Sequence, residues 1–546
     1  MKQKPKKSKS PLPPFIKRKQ QPSHHDRKRR LIISFIIGIF GFLLYSNTFF
    51  HDYVLDDFSA IKENNIVRQG IHAIPEIFKT SYRQGYLSIK DGLYRPLSLA
   101  TYAIEWDCYP DKPGISHFVN VVLYGITGML LFLMLCKLFA ARLSLGKGAD
   151  RSELLSGGIY DRRGEVIAFI ASLLFIAHPL HVEVVANIKS RDEILCFLFI
   201  ICSFLFVFQF IESEKRKFLW YGLAAYFLSL LSKETSITFL ALLPLALHFF
   251  SFVSIKKNTW ITAFFAGTAL IYLIIRHSVL QGAMTDDAVS IADNIIAGTK
   301  TASTHLGTSF YILGLYMKLL VFPHPLSYDY SFDHIPIVSL ENIFSIMSLL
   351  FYMTIGGYAV FVLFKSLKKN PPDPLHKREI SSIIAFGILF FLITIFLFSN
   401  LVLIIGTSMG DRLMYFPSLG FCIVVAVLLV KAPFLSPLQK EDNTLKLLPF
   451  RKIGLGFVLI IVLLYSYKTY SRNADWKDNY TLYSHDVKVV PNSVKAHYYL
   501  GLELVKVVAD AEQNTEKKQK IYEEGIHELE KAVAILPSFA SAYTQM

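Results

Sequence analysis

The chain has 546 residues, of which 53% are hydrophobic, 14% aromatic and only 18% charged, with a mean hydropathy of +0.40. That is more apolar than the core of a soluble protein of this length requires, so a soluble globular protein is excluded and a polytopic membrane protein is implied. The net charge of +15 does not argue for nucleic acid, because residues 1–30 hold twelve Lys/Arg against the single Asp26 (+11), leaving about +4 for the rest.

Residues 1–30 are rich in Pro and Ser and lack apolar periodicity, and they read as a disordered cytoplasmic tail attracted to anionic lipid. Leu31 to Phe50 carries no charge and is long enough to cross a hydrocarbon core of ~30 Å as a helix. It ends in Phe49-Phe50 with no small-residue cleavage site, so it is expected to be retained. Further spans are expected at Phe118 to Phe139, Val166 to Val185, Ile194 to Ile211, Phe218 to Leu231, Ile237 to Val253, Thr259 to Ile275, Ile343 to Phe364, Ser381 to Ile404, Tyr415 to Val430 and Ile453 to Tyr467, about eleven transmembrane helices in all. The loops Arg142 to Arg163, Glu212 to Lys217, Ile255 to Asn258, Lys365 to Arg378 and Lys431 to Lys452 are basic and fall on one side by helix parity, the cytoplasmic side. His305 to Phe322 is also apolar and long, but a crossing there would put Lys365 to Arg378 outside, so a re-entrant or interfacial segment is expected.

The fold class that follows is an all-α polytopic membrane protein. Residues 31–470 form the membrane domain, with large outer loops at 51–116 and 277–338, and residues 471–546 form a polar helical extracytoplasmic region. Of the five cysteines, Cys136, Cys196, Cys202 and Cys422 lie in apolar runs and Cys108 in a polar stretch, which leaves no disulfide framework or zinc pattern.

By this topology the polar clusters share one face, which is informative because charges next to a membrane span are costly unless paired or set in a wet cavity. Asp56 and Asp57 emerge just beyond the first span, where a carboxylate pair can act as a base or hold a cation. Tyr94-Arg95-Pro96 fixes an arginine beside a proline, able to aim its guanidinium at a phosphate or carboxylate. His178, His181 and Glu183 follow the third span; metal ligation by them matches no established zinc pattern, and hydrogen bonding to substrate or partner carboxylates fits better. Arg191, Asp192 and Glu193 read as a paired cluster, catalytic or structural. Lys233 and Glu234 sit in a tight hairpin, and Lys233 can offer its ammonium to a phosphate. Tyr328 and Asp329 belong to a Pro- and Tyr-rich outer loop suited to sugar stacking or to the interface. Asp411 and Arg412 are expected to form an ion pair at the mouth of the next span.

Beyond Ser471, His497, Leu500-Gly501, Gly525, Ala532 and Pro537 fit the spacing of a tetratricopeptide repeat if about twelve residues near Asp510 to Lys520 are inserted between or within its helices. Pro491-Asn492 resembles the close of a degenerate preceding unit, and Phe539 to Tyr543 the opening of another. One repeat cannot bury its own face, so it packs on the membrane domain or a partner, or the array is longer than this sequence.

Taken in order, Asp56-Asp57, Tyr94-Arg95-Pro96, the turn from His178 to Glu183, Lys233-Glu234, the loop Pro325 to Ser331, Asp411-Arg412 with Tyr415 and Pro417, and Arg472-Asn473 with Trp476, followed by repeats, resemble the transmembrane and tetratricopeptide-repeat-containing (TMTC) protein O-mannosyltransferases. The resemblance spans nearly the whole chain. It implies a C-type glycosyltransferase (GT-C) bundle and a polyprenyl-phosphate-linked sugar donor, with mannose as the sugar and an acidic residue of the first outer loop in the site. Asp411 stands where many relatives carry Glu, and the repeat array is short. On this reading Arg95, Arg191, Lys233 and Arg412 cradle the donor phosphate, and Asp56 or Asp57 takes the proton of the acceptor hydroxyl in a single inverting displacement. Tyr94, His178, His181, Glu183, Asp192, Glu193, Glu234, Tyr328, Asp329 and Asp411 bind substrate or support the site. A divalent cation on Asp56 and Asp57 stays open as an alternative. The expected partners are the lipid-linked sugar, membrane lipid and an acceptor protein or glycan met through the repeats. A transporter or flippase of lipid-linked sugar and a non-catalytic scaffold are the rival classes. The short array and the lack of a retrieval tail favour a bacterial inner membrane with a periplasmic site, or an endoplasmic reticulum membrane with a lumenal site if the source is eukaryotic.

Overall fold

The computed structural model describes residues 24–87, 90–139, 163–251, 253–283, 289–368, 380–431 and 448–546, and these contain helices and turns but no strand. Most of the basic tail and of the loops 142–163, 365–378 and 431–452 lies outside the described residues. All eleven apolar runs lie on helices. The long ones are α1 (His24–Tyr45), α2 (Pro96–Cys108, in the first outer loop), α3 (Pro113–Phe139), α4 (Arg163–Ala177), α5 (Arg191–Ser213), α6 (Arg216–Ser232), α7 (Phe239–Phe250), α8 (Ile255–Leu280), α9 (Ala302–Val321), α10 (Ile343–Leu367), α11 (Ile380–Phe396), α12 (Tyr415–Lys431) and α13 (Leu448–Asp475).

Six helices among the described residues are long and apolar enough to cross a membrane, or seven if α4 and the segment Pro179–Ala186, bent by 54° to it, count as one span. The bend falls at His178-Pro179, where proline removes a backbone donor and cannot continue the helix. Of the remaining expected spans, α6 and α13 cover their apolar runs, while α11 is shorter: it ends at Phe396, eight residues before Ile404, and the chain unwinds through Ser399 and Asn400 toward Gly410.

Contacts at the helix ends sort the loops as helix parity requires. Arg29 and Arg30 join Glu165, Lys137 joins Glu212, Lys257 joins Glu214, and the His248 ring lies 2.9 Å from the Ser366 hydroxyl, so the ends that flank the basic loops gather at one end of the bundle. At the other end Thr469 donates to the Ala177 carbonyl and Asn473 to the Leu44 carbonyl. Between α11 and α12 the backbones nearly touch: a Cβ on Gly420 would stand 2.4 Å from the Gly387 carbonyl oxygen, so any side chain there would push the helices apart.

The helix α9 runs in the same direction as α10, since Ser345 donates to Gly307 at their N-terminal ends and Tyr352 to Leu313 further along. The chain between them therefore runs back from the C-terminal end of α9 to the N-terminal end of α10, beside the start of α9.

The first outer loop builds a small core of its own from Tyr53, Ile61, Val67, Ile77, Tyr82, Leu99 and Tyr102, closed against Ile188. The C-terminal region consists of α14 (Asn479–Val489), α15 (Val494–Glu503) and α16 (Thr515–Ile535). Here α15 continues as helix through residues 504–511, so the extra residues lengthen the two helices of the repeat-like hairpin. Gly501 and Gly525 let these helices meet: a Cβ on Gly501 would lie 2.7 Å from the Gly525 carbonyl oxygen. The region is lashed to the membrane domain through Asp486, which accepts from Arg472, Ser327 Oγ and the Tyr328 N–H, and through Asp329, which accepts from Ser493.

Candidate active site

The two adjacent carboxylates after the first span point in opposite directions. Leu55 adopts a left-handed conformation (φ 49°), which turns the chain so that Asp57 faces inward and Asp56 outward. Asp57 has no exposed surface, and its two oxygens accept the N–H groups of Val54 (3.0 Å) and Lys189 (2.7 Å), closing its own turn and joining it to the segment before α5. Burial pushes this carboxyl up to about 7 against the pull of those hydrogen bonds. Asp56 is 35% exposed and meets Arg83 (3.2 Å) and Lys189 (3.7 Å). Burial would raise its carboxyl as well, but the charges of Lys189, Arg83 and Arg412 overrule that and hold it at about 2. Asp56 is therefore an ionised group in contact with solvent, and Asp57 is the fastening beneath it.

Behind Asp56 the charges interlock. Arg95 grips Glu234 with two nitrogens (2.5 and 3.0 Å) and Asp192 with a third (2.7 Å). Lys233 donates to Glu193 (2.5 Å), and Asp192 lies within 4.0 Å of both Lys189 and Lys233. Arg412 pairs with Glu183 through its side chain (2.6 Å) and its backbone N–H (2.9 Å). Five cations (Arg83, Arg95, Lys189, Lys233, Arg412) thus face five carboxylates (Asp56, Glu183, Asp192, Glu193, Glu234), contributed by the first outer loop, the turn before α5, the α6–α7 hairpin and the start of α12. Asp56, Arg83, Glu234 and Arg412 are the members with substantial exposure, and the rest lie beneath them. Tyr82 is sandwiched here, with Arg95 and Lys189 each 5.9 Å from its ring and its buried hydroxyl without a hydrogen-bond partner among the described residues.

Several residues singled out from the sequence lie elsewhere. Arg191, expected to hold phosphate, is wholly buried and spent on Asn120, Thr101, the Ser116 carbonyl and Glu105, with its guanidinium 4.6 Å from the Tyr102 ring centre. It pins α2 and α3 to α5 and leaves no donor for a ligand. The expected ion pair between Asp411 and Arg412 does not form: Arg412 turns to Glu183, and Asp411 accepts from the Tyr330 hydroxyl at 3.0 Å. His178 sits 3.1 Å from the Leu320 carbonyl oxygen, and His181 lies between the Tyr124 and Ser418 hydroxyls at 2.9 Å each, so both rings serve the bend after α4. Tyr94 donates to the Phe78 carbonyl within the first outer loop. Tyr328 and Asp329 belong to the junction with the C-terminal region.

A divalent ion does not fit Asp56 and Asp57, because the oxygens of Asp57 face N–H donors and Asp56 is ringed by cations. No group of three or more His, Cys, Asp or Glu side chains suited to a metal occurs among the described residues. Sequence reasoning passed over Arg83, Lys189 and Tyr82; Lys189 could have been found, since it stands in the same short turn as Arg191 and Asp192.

Comparison with known proteins adds to this geometry. The family model described as "Protein O-mannosyl-transferase TMTC, DUF1736" matches residues 286–356, which hold α9 and the loop leading to α10. The chain is similar to Protein O-mannosyl-transferase TMTC3 of Homo sapiens (25% identity over 527 residues, 91% of this chain and 51% of the relative). It is similar also to Protein O-mannosyl-transferase F38B6.6 of Caenorhabditis elegans (27% over 469 residues, 85% and 59%) and tmtc2 of Xenopus laevis (26% over 549 residues, 86% and 60%). It therefore spans half to three-fifths of the length of these relatives. ArnT from Cupriavidus metallidurans bound to undecaprenyl phosphate aligns over 95% of this chain and 78% of its own at 12% identity, with a TM-score of 0.39, too slight a likeness to establish a common fold.

Proposed function

We propose that this protein is a membrane glycosyltransferase of the GT-C type that moves a sugar, mannose by resemblance to its relatives, from a polyprenyl-phosphate donor to a Ser or Thr hydroxyl of a protein at the extracytoplasmic face. The observation that carries the reading is Asp56: an exposed carboxylate between Arg83 and Lys189 at the edge of a buried cation cluster, at the end of the bundle opposite the basic loops. A lipid donor suits such a place, because its tail lies along the helices while its phosphate meets the cations at the surface.

In the reaction the acceptor oxygen attacks the anomeric carbon, the bond from that carbon to the phosphate oxygen breaks, and its electron pair stays on the phosphate. The hydroxyl proton passes to Asp56, and one displacement inverts the anomeric centre. Arg412 and Arg83 are the exposed cations that meet the leaving phosphate, backed by Lys189, Lys233 and Arg95, and stabilising the anion as it forms is the largest aid available. In the structure these cations pair with carboxylates. A bound phosphate takes Arg83 and Arg412 for itself and so releases Asp56 from the charges that keep it a weak base.

The test uses the purified protein in lipid with a panel of radiolabelled polyprenyl-phosphate sugars, scoring release of the lipid phosphate by wild type, Asp56→Asn and Asp57→Asn. Release by wild type that vanishes in folded Asp56→Asn supports the transferase and identifies the sugar. No release from any donor by folded wild type overturns it in favour of a transporter or scaffold.

A further inference from the structure

The turn that presents Asp56 is held from outside by the C-terminal region. Leu55 adopts a backbone conformation that side-chain-bearing residues rarely adopt, and it immediately precedes the exposed carboxylate. A strained residue persists when its surroundings hold it. From within, Asp57 closes the turn through the Val54 N–H. From without, the Leu55 N–H donates to Asn479 Oδ1 at 2.9 Å, and two residues earlier in the C-terminal strand of contacts the Asp52 N–H donates to the Lys477 carbonyl at 2.9 Å. Asn479 opens α14, directly after Asp478, whose side chain caps that helix by accepting from the Thr481 N–H. Contacts thus run from the start of the C-terminal region to Asp52 and to the residue before Asp56.

We infer that Asn479 is a positioning residue for Asp56, so that the C-terminal region completes the active site in addition to any part in acceptor choice. The inference rests on the proposed transferase reading for its kinetic consequence but not for its structural one. Asn479 touches neither the acceptor nor the phosphate; it acts by keeping Leu55 in the left-handed conformation that turns Asp56 outward.

The experiment compares full-length wild type, Asn479→Ala, Leu55→Gly and the double variant in lipid, by donor-phosphate release and by hydrogen exchange of the segment 51–60. In Asn479→Ala we expect kcat to fall at least tenfold with the donor KM unchanged, and exchange at the Leu55 amide to rise by a similar factor. Glycine adopts the left-handed conformation without steric cost, so adding Leu55→Gly to Asn479→Ala is expected to restore most of kcat. A role confined to docking the C-terminal region predicts instead no rescue and a KM that moves with kcat, and that result overturns the inference. Unchanged exchange at 51–60 in Asn479→Ala also overturns it. Should wild type release no phosphate, the transferase reading fails by itself, and the exchange measurement still decides whether Asn479 holds the turn.

Discussion

The two ends of the bundle use the same residue types to different effect. At the end flanked by the basic loops, the ion pairs among the described residues keep a partner at or near the surface: Glu165, itself buried, with Arg29 and Arg30, Lys137 with Glu212, Lys257 with Glu214. Where head groups and water are at hand, such pairs cost little to make or to break. At the opposite end Asp192 alone touches Arg95, Lys189 and Lys233, and Arg95, Lys189, Lys233, Glu183 and Glu193 are all buried. Burying that many charges is expensive, and their mutual attraction seldom more than offsets it, so such a network is weak evidence for stability and stronger evidence for use. The lesson is that the charge worth explaining is the one withdrawn from water without need.

The comparison breaks most visibly at Arg191. Replacing it by Lys keeps the charge but not the planar fork that serves Asn120, Thr101, Glu105 and the Ser116 carbonyl together. A loss of about 3–5 kcal/mol is expected, as for a buried pair broken on one side, read as a large fall in the unfolding midpoint in lipid or detergent. If Arg191→Lys folds as well as wild type and loses only donor binding, the residue belongs with the phosphate cradle after all.

Next in size is Arg412→Ala, which removes an exposed cation facing Asp56. Donor-phosphate release is expected to fall by about 10²–10³, the usual effect of deleting one group that stabilises developing negative charge. The matching change at the other end, Lys137→Ala, is expected to leave the release rate unaltered. Equal losses in the two variants would show that the assay reports folding rather than chemistry.

How much of this was legible in the sequence depends on whether a role is set by position along the chain or by direction in space. Apolar run length placed helices at all eleven expected positions, and loop charge grouped their ends, because both follow from the thickness and polarity of a bilayer. The gathering of Asp56, Arg95, Asp192, Glu193, Lys233, Glu234 and Arg412 followed from parity alone. What the sequence could not separate was Asp56 from Asp57, since the left-handed Leu55 that divides them carries no signal in a leucine. Nor did it reveal that Arg191, one residue from Asp192, faces the opposite way, toward Tyr102 and Glu105. Arg83 and Asn479 stand in stretches with no pattern, and only the folded chain brings them to Asp56.

A smaller effect belongs to Asp57, whose carboxyl lies at about 7 in the folded protein against an ordinary 3.8. The fold therefore binds this proton more tightly than the unfolded chain does. Stability contributed by the group grows as pH falls from about 7 toward 3.8, and above 7 the cost of its buried charge is constant. The slope is at most about 1.4 kcal/mol per pH unit. Unfolding midpoints of wild type and Asp57→Asn between pH 5 and 8 should show the wild-type slope flattened in the variant, which has no proton to take up. Equal slopes would mean that Asp57 is ionised throughout, its N–H donors outweighing burial.

The smallest expected effect is at the other end, in Glu165→Gln. Arg29 grips Glu165 with Nε and Nη2 in three contacts at 2.9–3.1 Å, and Arg30 adds a fourth at 3.1 Å, so the pairing geometry is as good as that of Arg95 with Glu234. If geometry alone set the cost, the two would be equally sensitive. The surroundings differ: both arginines keep part of their surface and sit at the start of α1, where they can swing to lipid phosphates when the carboxylate is removed. A loss below about 1 kcal/mol is expected, smaller still at high salt, with no change in donor-phosphate release. A loss approaching that of Arg191→Lys would show that the cationic end is as dry as the opposite one, and would remove the distinction on which the proposed assignment of the site to one face depends.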